Sequence, residues 1–229
     1  MPSEPRLRAV FFDLDDTLCN TIGTREARAR RAFKHLCRLQ AGFDAETLVR
    51  RALAPLSEPR SAVGVRGVLA ELRLLDAAEG LAALEAVRDY YEPLCLLDGV
   101  QETLEELARV YQLGVITNWD SEDEQRRKLG HLGLTSNFRY FVVSASAGYE
   151  KPDPRIFEHA LSLAGVKASE TVFVGDRLDV DVGGAKAAGM RAVWFNHWGG
   201  TLDGASPSPD MVIERFSELP AVLVALARS

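Results

Sequence analysis

The sequence predicts an α/β protein, a Rossmann-like parallel sheet core with helices on both faces and an inserted helical domain. Three observations carry that prediction. Ala9 to Phe12 is a continuous apolar run near the start, the pattern of a strand buried on both faces of a parallel sheet. From Val100 onward, helical and strand patterns alternate with short connections, as in successive strand-helix-strand units. Between the two, Thr24 to Tyr91 loses strand character and becomes rich in Ala, Leu and Arg, which predicts helices.

Taken in order, the opening strand is followed by the acidic loop Asp13 to Asp16. In "REARARRAFKHLCRLQ", Ala29, Ala32, Phe33, Leu36 and Gln40 recur at helical spacing on one side, while Arg28, Arg31, His35 and Arg38 form a basic stripe on another. Further helices are predicted from Val65 to Leu75 and from Ala78 to Tyr91, with "APLSEP" and "AAEG" as breaks. The alternating part then reads as helix Gln101–Ala108, strand Gln112–Thr117, helix Ser121–Leu132 and strand Tyr140–Ser144. It continues as helix Pro154–Ala164, strand Thr171–Val174, helix Val180–Ala188, strand Arg191–Phe195, a short strand Met211–Ile213 and a last helix. Residues 1–18 and 97–229 are thus expected to form the sheet core, and 19–96 the helical insert.

Composition narrows the function classes. A chain of 229 residues, 47% hydrophobic and 26% charged, has the balance of a soluble globular protein. Its net charge of -6 argues against a general nucleic-acid binder. Between Asn20 and Arg60, however, nine Lys and Arg face four Asp and Glu, so the insert carries local positive charge. Cys19, Cys37 and Cys95 form no C-x-x-C pair, which suggests neither a disulfide framework nor a zinc site and fits a reducing cytoplasm. The longest apolar stretch near the end, "LPAVLVALA", is too short to span a bilayer, so no membrane partner is expected.

The chemistry-bearing residues fall where the predicted strands end, the place where open parallel sheets bind ligands. Asp13 and Asp15 alternate with Leu14, so in extended backbone their carboxylates leave on one side, a few ångströms apart. Such a pair needs a cation, a shared proton or a turn to be tolerated. Thr17 follows. Thr117 and Asn118 end the strand "LGVI", Lys151 lies in the "YEKPDP" loop, and Asp176, Asp179 and Asp181 follow "TVFVG". Oxygen donors in this number select a hard cation such as Mg²⁺, while Lys, Thr, Asn and backbone amides hold phosphate oxygens.

The segments "FFDLDDTL", "VITN", "EKPDPRIF" and "VFVGDRLDVDVGGAKAAGM" resemble, in order and spacing, the four motifs of the haloacid dehalogenase superfamily from Val10 to Phe195. The insert resembles the cap domain of the branch whose cap is all helical. The resemblance implies Asp13 as the nucleophile that forms an aspartyl-phosphate, and Asp15 as the acid and then the base. It implies Mg²⁺ bound by the Asp13 carboxylate, the Asp15 backbone carbonyl and the Asp176 carboxylate. Thr117 and Asn118 would hold the phosphoryl oxygens, and Lys151 would pair with Asp13 and the phosphate. Thr17 and Asp181 would support these groups without touching substrate, Asp181 by orienting Lys151 or a metal-bound water. Asp16 and Asp179 match no essential position.

The implied activity is Mg²⁺-dependent hydrolysis of a small phosphorylated metabolite, of the sugar phosphate or nucleotide class. Family dehalogenases resemble "DAYGT" at the first motif and lack the second carboxylate, whereas this chain keeps Asp15 and Asp176. Mutases of the superfamily resemble "DLDGV", and here Thr17 stands in place of Val. A phosphosugar mutase, a haloacid dehalogenase, a receiver-like phosphoacceptor and a non-catalytic binding module remain the alternatives. Short stretches near both ends are similar in style to cytosolic enzymes acting on N-acylneuraminate 9-phosphate or nucleoside monophosphates. Trp119, directly after Asn118, is expected to border the phosphate pocket. The basic stripe is expected to be a solvated helix face or a steering surface for anions. His35, His131, His159 and His197 have no metal-ligand spacing. Oligomeric state is not legible.

Overall fold

The structure, a computed structural model, describes residues 7–39, 42–53, 65, 68–69, 72, 91–202, 204 and 207–228. The chain divides into two compact units, Met1–Asn20 with Leu96–Ser229, and Thr21–Cys95. Strand β1 (Ala9–Phe12) belongs to the first unit.

The second unit is helical in its described residues. Helix α1 (Arg25–Leu39) turns Ala29, Ala32, Phe33 and Leu36 inward against Leu48, Val49 and Ala52 of α2 (Ala45–Ala52) and against Val65, Val68 and Leu69. Helix α2 was not foreseen from sequence. Its start is signalled by Asp44, whose carboxylate accepts from the Thr47 amide at 2.9 Å. The expected helix over 65–75 is described only at Val65, Val68, Leu69 and Leu72, and that over 78–91 lies outside the described residues but for Tyr91.

The basic stripe on α1 needs correcting, because Arg28 is not on a wet face. It is buried, and its Nη2 donates to the Thr21 carbonyl at 2.6 Å, closing the turn that leads into α1. Arg31 and Arg38 are exposed, and Arg31 pairs with Glu92. Arg30 pairs with Glu26 and Glu46, so much of the positive charge of this unit is answered within it.

In the first unit six parallel strands run in the order β3-β2-β1-β4-β5-β6, with β2 (Gln112–Thr117), β3 (Tyr140–Val143), β4 (Thr171–Gly175), β5 (Arg191–Phe195) and β6 (Met211–Ile213). Each of the four residues of β1 is fully buried, as a central strand covered on both faces must be. The order reverses direction at β1, which lies between β2 and β4, so the crevice beyond its carboxyl end is a topological switch point.

Helices α3 (Val100–Leu107), α4 (Glu122–His131), α5 (Ser144–Ala147) and α6 (Pro154–Ala164) connect the first strands. Helix α6 starts with Asp153 accepting from the Arg155 amide and Pro154 in its first turn, and it stops at Gly165 with φ 63°. Its inner face, Ile156, Phe157, Ala160 and Leu161, packs with Phe11, Phe173 and Ala185 in one core. Two expected elements differ locally. The strand over 140–144 ends at Val143, where Ser144 opens α5. The helix over 180–188 instead begins as a π turn, Leu178–Val182, before α7 (Gly183–Ala187). Such turns are frequent at functional sites, and this one carries Asp181 inward. Helix α8 (Leu219–Leu226) closes the unit.

Candidate active site

Strand register sets the site. Phe12 lies level with Val115 on one side and Val174 on the other, so Asp13, Thr117 with Asn118, and Gly175 with Asp176 leave the sheet at nearly one height. Asp13 continues the strand by donating its amide to the Val174 carbonyl at 2.9 Å. The chain then turns, with Leu18 and Cys19 amides reaching the Leu14 carbonyl at 3.0 and 3.3 Å and Asp16 at φ 59°. A ring nitrogen of His197 stands 2.7 Å from the Asp16 carbonyl.

Lys151 is the centre of charge. Its buried ammonium lies 2.6 Å from Asp13 Oδ1 and 2.7 Å from Asp181 Oδ1. Asn118 fixes the lysine's backbone: its Nδ2 donates to the Lys151 carbonyl at 2.8 Å, and its Oδ1 accepts from the Lys151 amide at 2.8 Å. The Asn118 side chain, expected to grip a phosphoryl oxygen, is thus first a clamp on the Lys151 loop. Asp181 Oδ2 accepts from the Arg177 amide at 3.1 Å. Thr17 Oγ1 donates to Asp176 Oδ1 at 3.4 Å, and Trp194 Nε1 donates to the Asp176 carbonyl at 2.8 Å.

One carboxylate oxygen from each of Asp13, Asp176 and Asp181 lies within 4.8 Å of the others. Burial pushes the Asp13 carboxyl up to about 7, with Asp181 and Asp15 adding to the rise and Lys151 opposing it. Burial likewise pushes Asp176 up to about 8, reinforced by Asp13, Asp181 and Asp16. Burial works against the charged form of Lys151, but Asp13 and Asp181 together outweigh it and raise its pKa. Three clustered carboxylates against one ammonium leave a surplus of negative charge that a hard divalent cation would neutralise. The donor set fits that ion: Asp13 and Asp176 can hold it, while both Asp181 oxygens are engaged, one by Lys151 and the other by the Arg177 amide.

Asp15, near enough to Asp13 to raise its carboxyl, is held by donors of its own from α4. Its Oδ1 is 2.6 Å from Lys128 Nζ, and its Oδ2 accepts from Gln125 Nε2 at 3.0 Å. Gln125 Nε2 also lies 3.1 Å from the hydroxyl oxygen of Thr117, which is buried. Sequence reasoning missed both residues of α4. They are three apart and so share a helix face, but in a helix as polar as "EDEQRRKLGH" nothing marks that face as inward. Trp119 stands beside them, its Nε1 donating to Glu124 Oε2 at 2.9 Å and its ring 4.6 Å from Lys128 Nζ. The Trp119 amide donates to Ser144 Oγ at 2.9 Å, which ties the turn after β2 to α5.

A parallel sheet whose switch-point crevice gathers carboxylates, a buried lysine and a threonine has the donors to hold a hard cation beside an anionic group. The chain belongs to the haloacid dehalogenase-like hydrolase family, whose model matches residues 7–189. It is 32% identical to an N-acylneuraminate-9-phosphatase of Rattus norvegicus over 95% of this chain and 94% of that protein. Its structure is similar to a phosphatase of the family from Thermococcus onnurineus, with 28% identity, TM-score 0.74 and coverage of 95% and 98% of the two chains. It is also similar to a 2-haloacid dehalogenase from Pseudomonas syringae pv. tomato DC3000, with 32% identity, TM-score 0.72 and coverage of 96% and 99%. The fold is therefore shared across different chemistries, and the site residues must decide between them. Among the described residues no helix is long and apolar enough to cross a membrane.

Proposed function

We propose that this protein hydrolyses the phosphomonoester of a small metabolite, of the sugar phosphate or nucleotide class, through an aspartyl-phosphate on Asp13. The observation that carries the reading is the buried Lys151 held between Asp13 and Asp181, with Asp176 beside them. In the first step an Asp13 carboxylate oxygen attacks phosphorus, the bond from phosphorus to the leaving oxygen breaks, and Asp15 gives that oxygen its proton. In the second, water attacks the same phosphorus, Asp15 takes its proton, and the bond to Asp13 breaks to release phosphate. Lys151 and the Thr117 hydroxyl stabilise the phosphoryl oxygens. Mg²⁺, held by the Asp13 and Asp176 carboxylates and the Asp15 backbone carbonyl, supplies charge neutralisation when bound.

Residues 1–18 and 97–229 form the catalytic core in this reading, and residues 19–96 a helical cap domain. The substrate class is supported by the activity named for the rat relative. Cys19, Cys37 and Cys95, which form no C-x-x-C pair, fit a cytoplasmic setting. The similarity to a dehalogenase structure favours one competing chemistry, halide displacement, but that reaction has no use for Asp15 as an acid or for a metal at Asp176. The test is phosphate release from a generic aryl phosphate, with Mg²⁺ and with chelator, beside chloride release from a chloroacid. Metal-dependent phosphate release lost in Asp13→Asn supports the reading; chloride release without metal replaces it by dehalogenation.

A further inference from the structure

We propose that Lys128 and Gln125 are positioning residues for Asp15, holding its carboxylate apart from the Asp13, Asp176 and Asp181 cluster and in one orientation for proton transfer. The proposal rests on the reading of Asp15 as proton donor and acceptor. Each Asp15 oxygen has its own donor, Lys128 Nζ at 2.6 Å and Gln125 Nε2 at 3.0 Å, and two such contacts on different oxygens leave the carboxylate plane no free rotation.

The two donors are unusual for their helix. Lys128 is 2% exposed and Gln125 fully buried, whereas Arg126 and Arg127 of the same helix are exposed. Burying an ammonium is costly unless it is paired, so the fold has committed Lys128 to Asp15. The Trp119 ring covers the ammonium at 4.6 Å, which keeps water from the pair and strengthens it. Gln125 links the same clamp to Thr117 at 3.1 Å, so the acid-base group and the strand-end hydroxyl are set by one helix face.

The clamp also solves a competition. A fourth carboxylate next to the three-carboxylate cluster would be drawn toward any cation bound there. An ammonium on its other side holds Asp15 back, leaving its carboxylate available for proton transfer. Removing the ammonium should therefore impair turnover where protonation matters and leave metal binding intact. Proton donation matters most for a basic leaving oxygen and least for a strongly stabilised one.

The experiment compares wild type, Lys128→Met, Asp15→Asn and the double variant on an alkyl phosphate and on an aryl phosphate with a highly stabilised leaving group. Calorimetry with Mg²⁺ alone accompanies the kinetics. Lys128→Met is expected to lower kcat about 100-fold on the alkyl ester, within the usual range for a lost general acid, and less than about 5-fold on the aryl ester. KM should stay within about 3-fold, and the double variant should be no slower than Asp15→Asn, since residues acting through one group are not additive. Mg²⁺ should bind at least as tightly as to wild type. Gln125→Met, which leaves the ion pair in place, should show the same bias at roughly 10-fold. Equal loss on both esters, additive effects in the double variant, or weakened Mg²⁺ binding overturns the proposal. A wild type inactive on both esters overturns the phosphatase reading instead.

Discussion

Gly175 and Asp181 occupy one volume: a Cβ built on Gly175 would lie 2.4 Å from Asp181 Oδ2 and 2.5 Å from its Cβ. The missing side chain at the end of β4 is what lets Asp181 reach under the strand to Lys151. Gly175→Ala must displace Asp181, and Lys151 then loses one of its two carboxylate partners. Activity should fall at least about 10-fold, with destabilisation of about 1–3 kcal/mol from overpacking. Phosphate release and urea melts check this; unchanged activity would mean that Asp181 is not needed at Lys151.

Lys151→Met tests the same cluster from its centre. The substitution keeps volume but leaves Asp13 and Asp181 buried without their shared cation. Breaking a buried pair in this way costs about 3–5 kcal/mol. Protonating Asp13, whose carboxyl is pushed up to about 7 by burial, relieves part of the cost, so the loss should be larger near pH 8 than near about pH 5. A loss of stability that is the same at both pH values would contradict the ionised cluster.

The raised carboxyls predict a pH-dependent response to metal. Asp13 at about 7 and Asp176 at about 8 hold protons more tightly than at their ordinary 3.8. Their contribution to metal-free stability is full below pH ~4 and is lost as pH rises through 7 and then 8. Mg²⁺ competes with those protons, so its stabilising effect should grow across the same window. Melting temperatures with chelator and with saturating Mg²⁺, taken from about pH 5 to 9, check the sign; a Mg²⁺ shift that shrinks as pH rises would refute it.

Arg28 is expected to matter to folding rather than to anion steering. Arg28→Gln removes the donor to the Thr21 carbonyl and places a shorter side chain in a buried position. Loss of a hydrogen bond from a charged group costs about 1.5–3 kcal/mol. Arg31→Gln, at an exposed ion pair, should cost less than about 1 kcal/mol. Chemical denaturation of the two variants separates them, and equal stabilities would return Arg28 to the surface stripe.

How much was legible follows from what each feature depends on. The apolar run Ala9–Phe12, the alternation after Val100 and the caps of α6 are local signals, so strands, helices and the residues at strand ends could be read directly. Asp13, Thr117, Lys151 and Asp176 converge because parallel strands in register must end together. Side-chain direction on polar helices is another matter. Nothing local distinguishes Arg127 from Lys128, or Arg31 from Arg28, since both pairs sit in stretches where every position could be wet.

The sequence by itself determined the parallel α/β core, the motif residues at its rim and the family that their spacing resembles, because hydrophobic period and motif spacing survive without packing. The tertiary structure alone decided which polar groups lose water. It buried Lys128 and Gln125 against Asp15, Arg28 against Thr21, and Asp181 beneath Gly175. A buried polar group must find its partner from another part of the chain, and partners that far apart in sequence are set by the fold.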